Sequence, residues 1–203
     1  MQSFRSSMSM NDRSTVATRR VIGGLSVMAT LALVGCGGGA AGGSGADSAD
    51  SDSASGSAVE IGKPAPEVKG DAVGGDGPKS LAEGKGQVVI VDFWATFCDP
   101  CRKSFPAYQE LVDKYAGDLA VIAVSVDDPE DVTVDEVKQF AEELEVTFSI
   151  VWDKNQETAG VYKPPKMPTS YIVDKDGVLR HIHAGYESGE AAAIDEEVAA
   201  LLE

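Results

Sequence analysis

From residue 88 onward the chain alternates between short β-branched apolar runs and stretches in which apolar residues recur every three or four positions. Residues 88–91 are Val-Val-Ile-Val, and Asp92, Phe93 and Trp94 extend them; four or more consecutive apolar residues bounded by turn formers predict a strand buried on both faces. After the Cys98-Asp99-Pro100-Cys101 segment, Tyr108, Leu111, Val112 and Tyr115 recur at helical spacing, with Gly117 as the stop and Pro106 inside, where its missing N–H predicts a bend near Lys103. Residues 119–126 form a second apolar strand. Thr133 with Glu136 is a capping-box pair opening a helix to about Glu143, whose Val137, Phe140 and Leu144 share one face. Residues 148–152 predict a short strand and 155–161 a short helix.

The rhythm then changes. Residues 171–173 and 178–182 flank Asp176-Gly177, a hairpin signal, and residues 187–203 close the chain as a helix with Ala193, Ile194, Val198, Leu201 and Leu202 inward. Strands alternating with helices require a parallel component, and the hairpin adds an antiparallel one, so the fold class is α/β with a central mixed sheet flanked by helices. Upstream, Pro64 and Pro66 suit an edge segment along the outside of a sheet, while Gly-rich turns at 74–78 and 84–86 bracket a short element without clear periodicity.

The first 58 residues follow different rules. Residues 1–20 carry Arg5, Arg13, Arg19 and Arg20, and residues 21–35 are apolar and small, too short for a spanning helix of about 20 residues and arranged as an export signal. An uncleaved signal anchor is the alternative. Residues 37–58 contain only Gly, Ala, Ser and Asp, with no large apolar side chain, and so predict a disordered tether; residues 59–203 carry the one core. Cleavage after residue 35 removes four arginines and one aspartate and takes the net charge from −16 to −19. Such a surface repels phosphates and argues against nucleic acid.

The chemistry concentrates where the first strand meets the first helix. A helix start presents unpaired N–H groups and the positive end of the macrodipole, both favouring a thiolate, so Cys98 is the expected nucleophile. Cys101, one turn further in, is placed to resolve a mixed disulfide on Cys98. Half of a zinc site and a structural disulfide are the alternatives for this pair, although no second cysteine pair exists to complete a zinc site. Asp92, a carboxylate in an apolar strand, should have its pKa raised by desolvation and can accept the Cys101 proton. His181 and His183 share a strand face; an edge or solvated position is expected and no metal site is assigned. The acidic run 127–131 reads as a solvated loop.

The segment Asp92-Phe93-Trp94-Ala95, two residues, then Cys98-x-Pro100-Cys101 resembles the active site of thioredoxins, and the continuation Arg102-Lys103-Ser104-Phe105-Pro106 is similar to the TlpA/ResA-like thiol-disulfide oxidoreductases. The resemblance covers about residues 60 to 203 and implies a thioredoxin-like three-layer sandwich. It implies that Pro168 heads a cis-proline loop opposite the cysteines, with Met167 and Thr169 beside it, the Met167 backbone pairing with an extended substrate. Trp94, Phe97, Asp99 and Pro100 complete the implied substrate-binding set, with Cys98, Cys101 and Asp92 catalytic. Phe97 stands where the family has Trp, and Ser104 where tethered reductases often have Glu, which shifts proton transfer onto Asp92. Asp99 beside Cys98 opposes its thiolate and predicts a reductant. The Leu33-Val34-Gly35-Cys36 segment resembles a bacterial lipobox, which would place lipid on Cys36 and the domain outside the cytoplasm, anchored to a membrane. Arg19-Arg20 is similar to a twin-arginine signal. The family implies protein disulfides as substrates, apocytochrome c among them, a membrane thiol-disulfide electron donor, a monomer and no cofactor. A peroxiredoxin-like peroxidase and a copper-delivery module on the same fold are the rival readings; the first carries Thr-x-x-Cys, whereas Thr96 lies two positions before Cys98.

Overall fold

The computed structural model describes residues 59–203. The signal segment, Cys36 and the tether lie outside the described residues. A six-stranded mixed sheet forms the middle layer in the order β1-β4-β3-β2-β5-β6. Its strands are β1 (Asp71–Gly74), β2 (Val88–Trp94), β3 (Leu119–Ser125), β4 (Ser149–Trp152), β5 (Thr169–Val173) and β6 (Leu179–Ala184). β2, β3 and β4 run parallel, while β5, β6 and β1 are antiparallel to their neighbours.

Every residue of β2 and β3 is buried, which explains their continuous apolar character: strands covered on both faces lose the alternation of half-exposed ones. Side chains of β2 divide by parity. Val88, Ile90 and Trp94 enter a core built with α1 (Cys101–Lys114), α2 (Val134–Glu143) and α4 (Glu190–Leu202), whereas Val89, Val91 and Phe93 enter a second core under α3 (Glu157–Tyr162) and the segment from Val59 to Leu81. The first core is strongly aromatic: Trp94 lies 4.5 Å from Phe140 and 5.1 Å from Phe105, centroid to centroid.

The predicted elements are present with shifted ends. α1 passes through Pro106 as one helix and stops at Lys114, with Gly117 at positive φ in the following turn. The Thr133–Glu136 capping box forms as read. α4 begins after Gly189, three residues later than expected, and Ala193 faces solvent rather than the core, since only Ile194 and Val198 are buried. The segment from Gly62 to Ala65 lies along the hairpin, exchanging backbone bonds with Gly177 and Leu179, as its prolines suggested. Strand β1 was not foreseen; it pairs with β4 through a bulge and carries only one large apolar side chain, Val73.

β6 is an edge strand, and α4 packs against it through charge. His183 is held between two carboxylates, Nδ1 to Glu190 and Nε2 to Glu197 at 2.6 Å, and Glu197 also meets His181 at 3.1 Å. Both histidines occupy the expected edge, but His183 is clamped rather than solvated. Burial pulls its pKa down, and the bonds to Glu197 and Glu190 outweigh this, so the net shift is upward. A folded-state pKa above the unfolded value of about 6.5 stabilises fully below that pH and loses its effect as pH rises through the folded value. Urea unfolding at pH 6 and pH 9 should therefore show Glu197→Gln less stable than the parent protein at pH 6, with the gap narrowing at pH 9; an equal gap at both would contradict the clamp.

Candidate active site

β2 ends at Trp94, and the chain turns twice before α1 begins. Cys98 donates its N–H to Ala95 O at 3.0 Å, and Cys101 donates to Cys98 O at 3.1 Å. Pro100 is the N-cap with helical φ and ψ, consistent with proline's fixed φ at a helix start. The Cys101 N–H is shared with Cys98 Sγ, 3.2 Å away, so the first N–H of α1 is also aimed at this sulfur. The two cysteines are joined as a disulfide with Cα atoms 5.3 Å apart. Cys101 is completely enclosed and Cys98 shows only 6% of its surface, less open than the sequence suggested.

A carboxylate the sequence reading had left in solvent holds this turn. Asp127 is buried, unlike its exposed neighbours Asp128, Glu130 and Asp131. It accepts the Thr96 N–H at 3.0 Å, the Thr96 hydroxyl at 2.8 Å and the Ser125 hydroxyl at 2.8 Å. Its backbone carbonyl takes the Trp152 indole N–H at 2.9 Å. The end of β3 is thereby tied to the residue two before Cys98.

The other landmark loop arrives from β5. The Met167–Pro168 peptide is cis. Antiparallel register pairs Phe93 with Thr169, so Pro168 and Trp94 leave the same end of the sheet. Met167 packs against the core cluster that contains both cysteines, and Gly185 N–H fixes Pro168 O at 2.7 Å from behind. Around Cys98 the surface is formed by Phe97, 73% exposed, with exposed Asp99 and Pro100. Three residues expected at that surface are absent from it, the first being Pro168, which is buried with its carbonyl turned to Gly185. Trp94 is wholly buried between Phe105 and Phe140 and forms the floor beneath the pair, and Thr169 is buried with its hydroxyl bonded to Lys166 O, so neither side chain can touch a substrate.

Asp92 lies where its strand position implies, fully enclosed on the face covered by α1. Desolvation pushes its pKa up to about 7, against the hydroxyls of Ser170, bonded to it, and Tyr108, bonded to Ser170, which favour the anion. Ser170 donates to Oδ1 at 2.6 Å, and Oδ2 has no partner. Ser104, on the helix position where a carboxylate was considered, is buried and bonds Cys101 O at 3.2 Å, leaving Asp92 the carboxylate on this side of the pair.

The AhpC/TSA family pattern matches residues 61–182. The chain belongs to the AhpC/TSA family. Within it, the chain is 38% identical over 127 residues to the thioredoxin-like protein YneN of Bacillus subtilis, covering 63% of this chain and 73% of that one. It is 34% identical over 131 residues to the thiol-disulfide oxidoreductase ResA of Geobacillus kaustophilus, covering 64% and 72%. Among solved structures, a candidate thiol:disulfide interchange protein DsbE from Chlorobium tepidum superposes with a TM-score of 0.63 at 30% identity, covering 72% of this chain and all of that one. The fold is thioredoxin-like, and this family member is a thiol-disulfide oxidoreductase with a Cys-x-x-Cys pair.

If Asp127 anchors the redox turn, Asp127→Ala should cost about 1–3 kcal/mol in urea unfolding, because it strands the Thr96 and Ser125 donors. It should also slow insulin reduction by the refolded protein. Unchanged stability would show the turn to be held by other contacts.

Proposed function

We propose that this chain is a membrane-anchored, extracytoplasmic reductant of protein disulfides. The observation that carries the reading is the asymmetry of the pair: Cys98 keeps 6% of its surface and its sulfur receives an N–H from the helix start, whereas Cys101 has no exposed surface. In the proposed cycle the Cys98 thiolate attacks a client disulfide, forming a mixed disulfide and expelling the client's first sulfur. Cys101 then gives its proton to Asp92 and attacks Cys98 Sγ, so the Cys98–client bond breaks as the Cys98–Cys101 bond forms. The client gains two electrons and leaves as a dithiol once its sulfurs take up protons. A membrane thiol-disulfide donor returns the electrons to the Cys98–Cys101 disulfide.

Phe97 offers an apolar platform beside Cys98, and the Met167 backbone, preceding the cis-proline, is the edge along which an extended client segment would pair. The negative charge of Asp99 next to Cys98 disfavours the thiolate, and a less stabilised thiolate makes the dithiol a better electron donor. Compartment and anchoring rest on the lipobox-like Leu33-Val34-Gly35-Cys36 and the Gly, Ala, Ser and Asp composition of residues 37–58. Apocytochrome c, with its paired thiols, is the client class the TlpA/ResA resemblance favours.

Equilibration with glutathione buffers and thiol trapping should place the Cys98/Cys101 potential near the thioredoxin range of about −270 mV. A value near −120 mV would make the protein an oxidant. Cys101→Ser should accumulate mixed disulfides through Cys98 with extracytoplasmic proteins, and trapping of none would remove the client-reductase reading.

A further inference from the structure

The buried carboxylate does not stand alone. Tyr108 Oη lies 2.6 Å from Ser170 Oγ, which lies 2.6 Å from Asp92 Oδ1, and the three side chains come from α1, β5 and β2. All three residues are at most 1% exposed. We propose that Tyr108 is a positioning residue that, through Ser170, holds Asp92 in the ionised form needed to take the Cys101 proton. This rests on the proton-acceptor role given to Asp92 above.

Counting protons fixes the direction of the chain. Ser170 has a single hydroxyl hydrogen, and it is donated to Asp92, so the bond to Tyr108 must use the phenol's hydrogen. Both O–H groups therefore point toward the carboxylate and polarise each other, which strengthens the bond that reaches the anion. Tyr108 cannot lose its own proton instead: burial, with the Asp92 charge second, raises its pKa well above the ordinary tyrosine value. It stays a donor throughout the working pH range. The chain engages Oδ1 alone, leaving Oδ2 on the same carboxylate without a partner and thus able to accept. Asp92 and Tyr108 occupy the side of the sheet on which Cys101 is buried, and Tyr108 itself belongs to that core cluster.

The arrangement resolves a conflict in the site. A carboxylate wholly enclosed in an apolar core would bind a proton too tightly to be free to accept another at neutral pH. Two aligned hydroxyls offset part of that desolvation without introducing a second charge, leaving the group poised near the pH at which it is to exchange protons. Tyr186, in edge-to-face contact with Tyr108 at 6.1 Å, packs against the ring and restrains its rotation.

The test reads Asp92 directly. The carboxyl carbon of Asp92 is titrated by NMR in the oxidised parent, Tyr108→Phe and Ser170→Ala proteins, and the pH dependence of single-turnover client release is measured on the reduced ones. Removing a donor to the anion raises the pKa, so both variants should move the Asp92 midpoint upward by about one unit, and the release profile should move to higher pH with it. At pH 7 release should then slow by several-fold, with client binding unchanged. A midpoint unmoved in folded Tyr108→Phe overturns the relay, whether or not Ser170→Ala moves it. A midpoint that moves while the release profile stays fixed upholds the relay and overturns the role of Asp92 as acceptor. If Tyr108→Phe fails to fold, 3-fluorotyrosine at position 108, a stronger donor of nearly the same shape, should lower the Asp92 midpoint, and an unmoved midpoint overturns the relay.

Discussion

The bond from Cys101 N–H to Cys98 Sγ can exist only because β2 hands the chain to α1 across a six-residue turn of fixed shape. β2 is hydrogen-bonded on both edges, to β3 and β5, and covered on both faces, so its end point cannot wander. Phe105 and Trp94 interlock beneath the turn, which sets the height of the helix start over the sheet. From that single constraint follow the enclosure of Cys101 and the small residual exposure of Cys98, while the cis-proline loop leaves the same end of the sheet beside β2. A helix start placed one residue earlier or later would aim its first N–H at something other than this sulfur.

Two enclosed carboxylates flank the constraint and differ in what surrounds them. Asp127 receives hydrogen bonds from a backbone N–H and two hydroxyls, and its work is mechanical, joining the end of β3 to the turn. Asp92 receives one hydroxyl on one oxygen, and its proton affinity is raised accordingly. The number of donors around each group separates an anchor from a group able to exchange protons in the proposed cycle. The electrostatic clamp of His183 at the far edge is a third use of paired charge, there to seat α4 on β6.

Much of this was readable in the sequence because the relevant residues signal locally. Val88-Val89-Ile90-Val91 announces a doubly covered strand, Thr133 and Glu136 announce a cap, and the Cys98-x-Pro100-Cys101 spacing with its strand-to-helix setting announces the redox pair. What escaped depends on partners distant in the chain. Asp127 looked like one member of an acidic loop, and only its contacts with Thr96, 31 positions away, distinguish it from Asp128. Tyr108 sat on the apolar face of a helical pattern, and that face says nothing of its hydroxyl, which meets Ser170 62 positions later. Trp94 and Thr169 adjoin the motif in sequence yet point into the core, since strand alternation and the adjoining turn decide which neighbours reach the surface. β1 has four residues and too little apolar content to register any period.

The asymmetry of the two sulfurs is the central claim, and alkylation measures it most directly. The fully reduced residues 36–203 are treated with iodoacetamide at a series of pH values, and labelling at each cysteine is read by peptide mass. The account predicts that Cys98 is labelled with a midpoint below the free-cysteine value of about 8.5, while Cys101 stays unlabelled until the protein is denatured. Equal labelling of the two thiols, or faster labelling of Cys101, would contradict it.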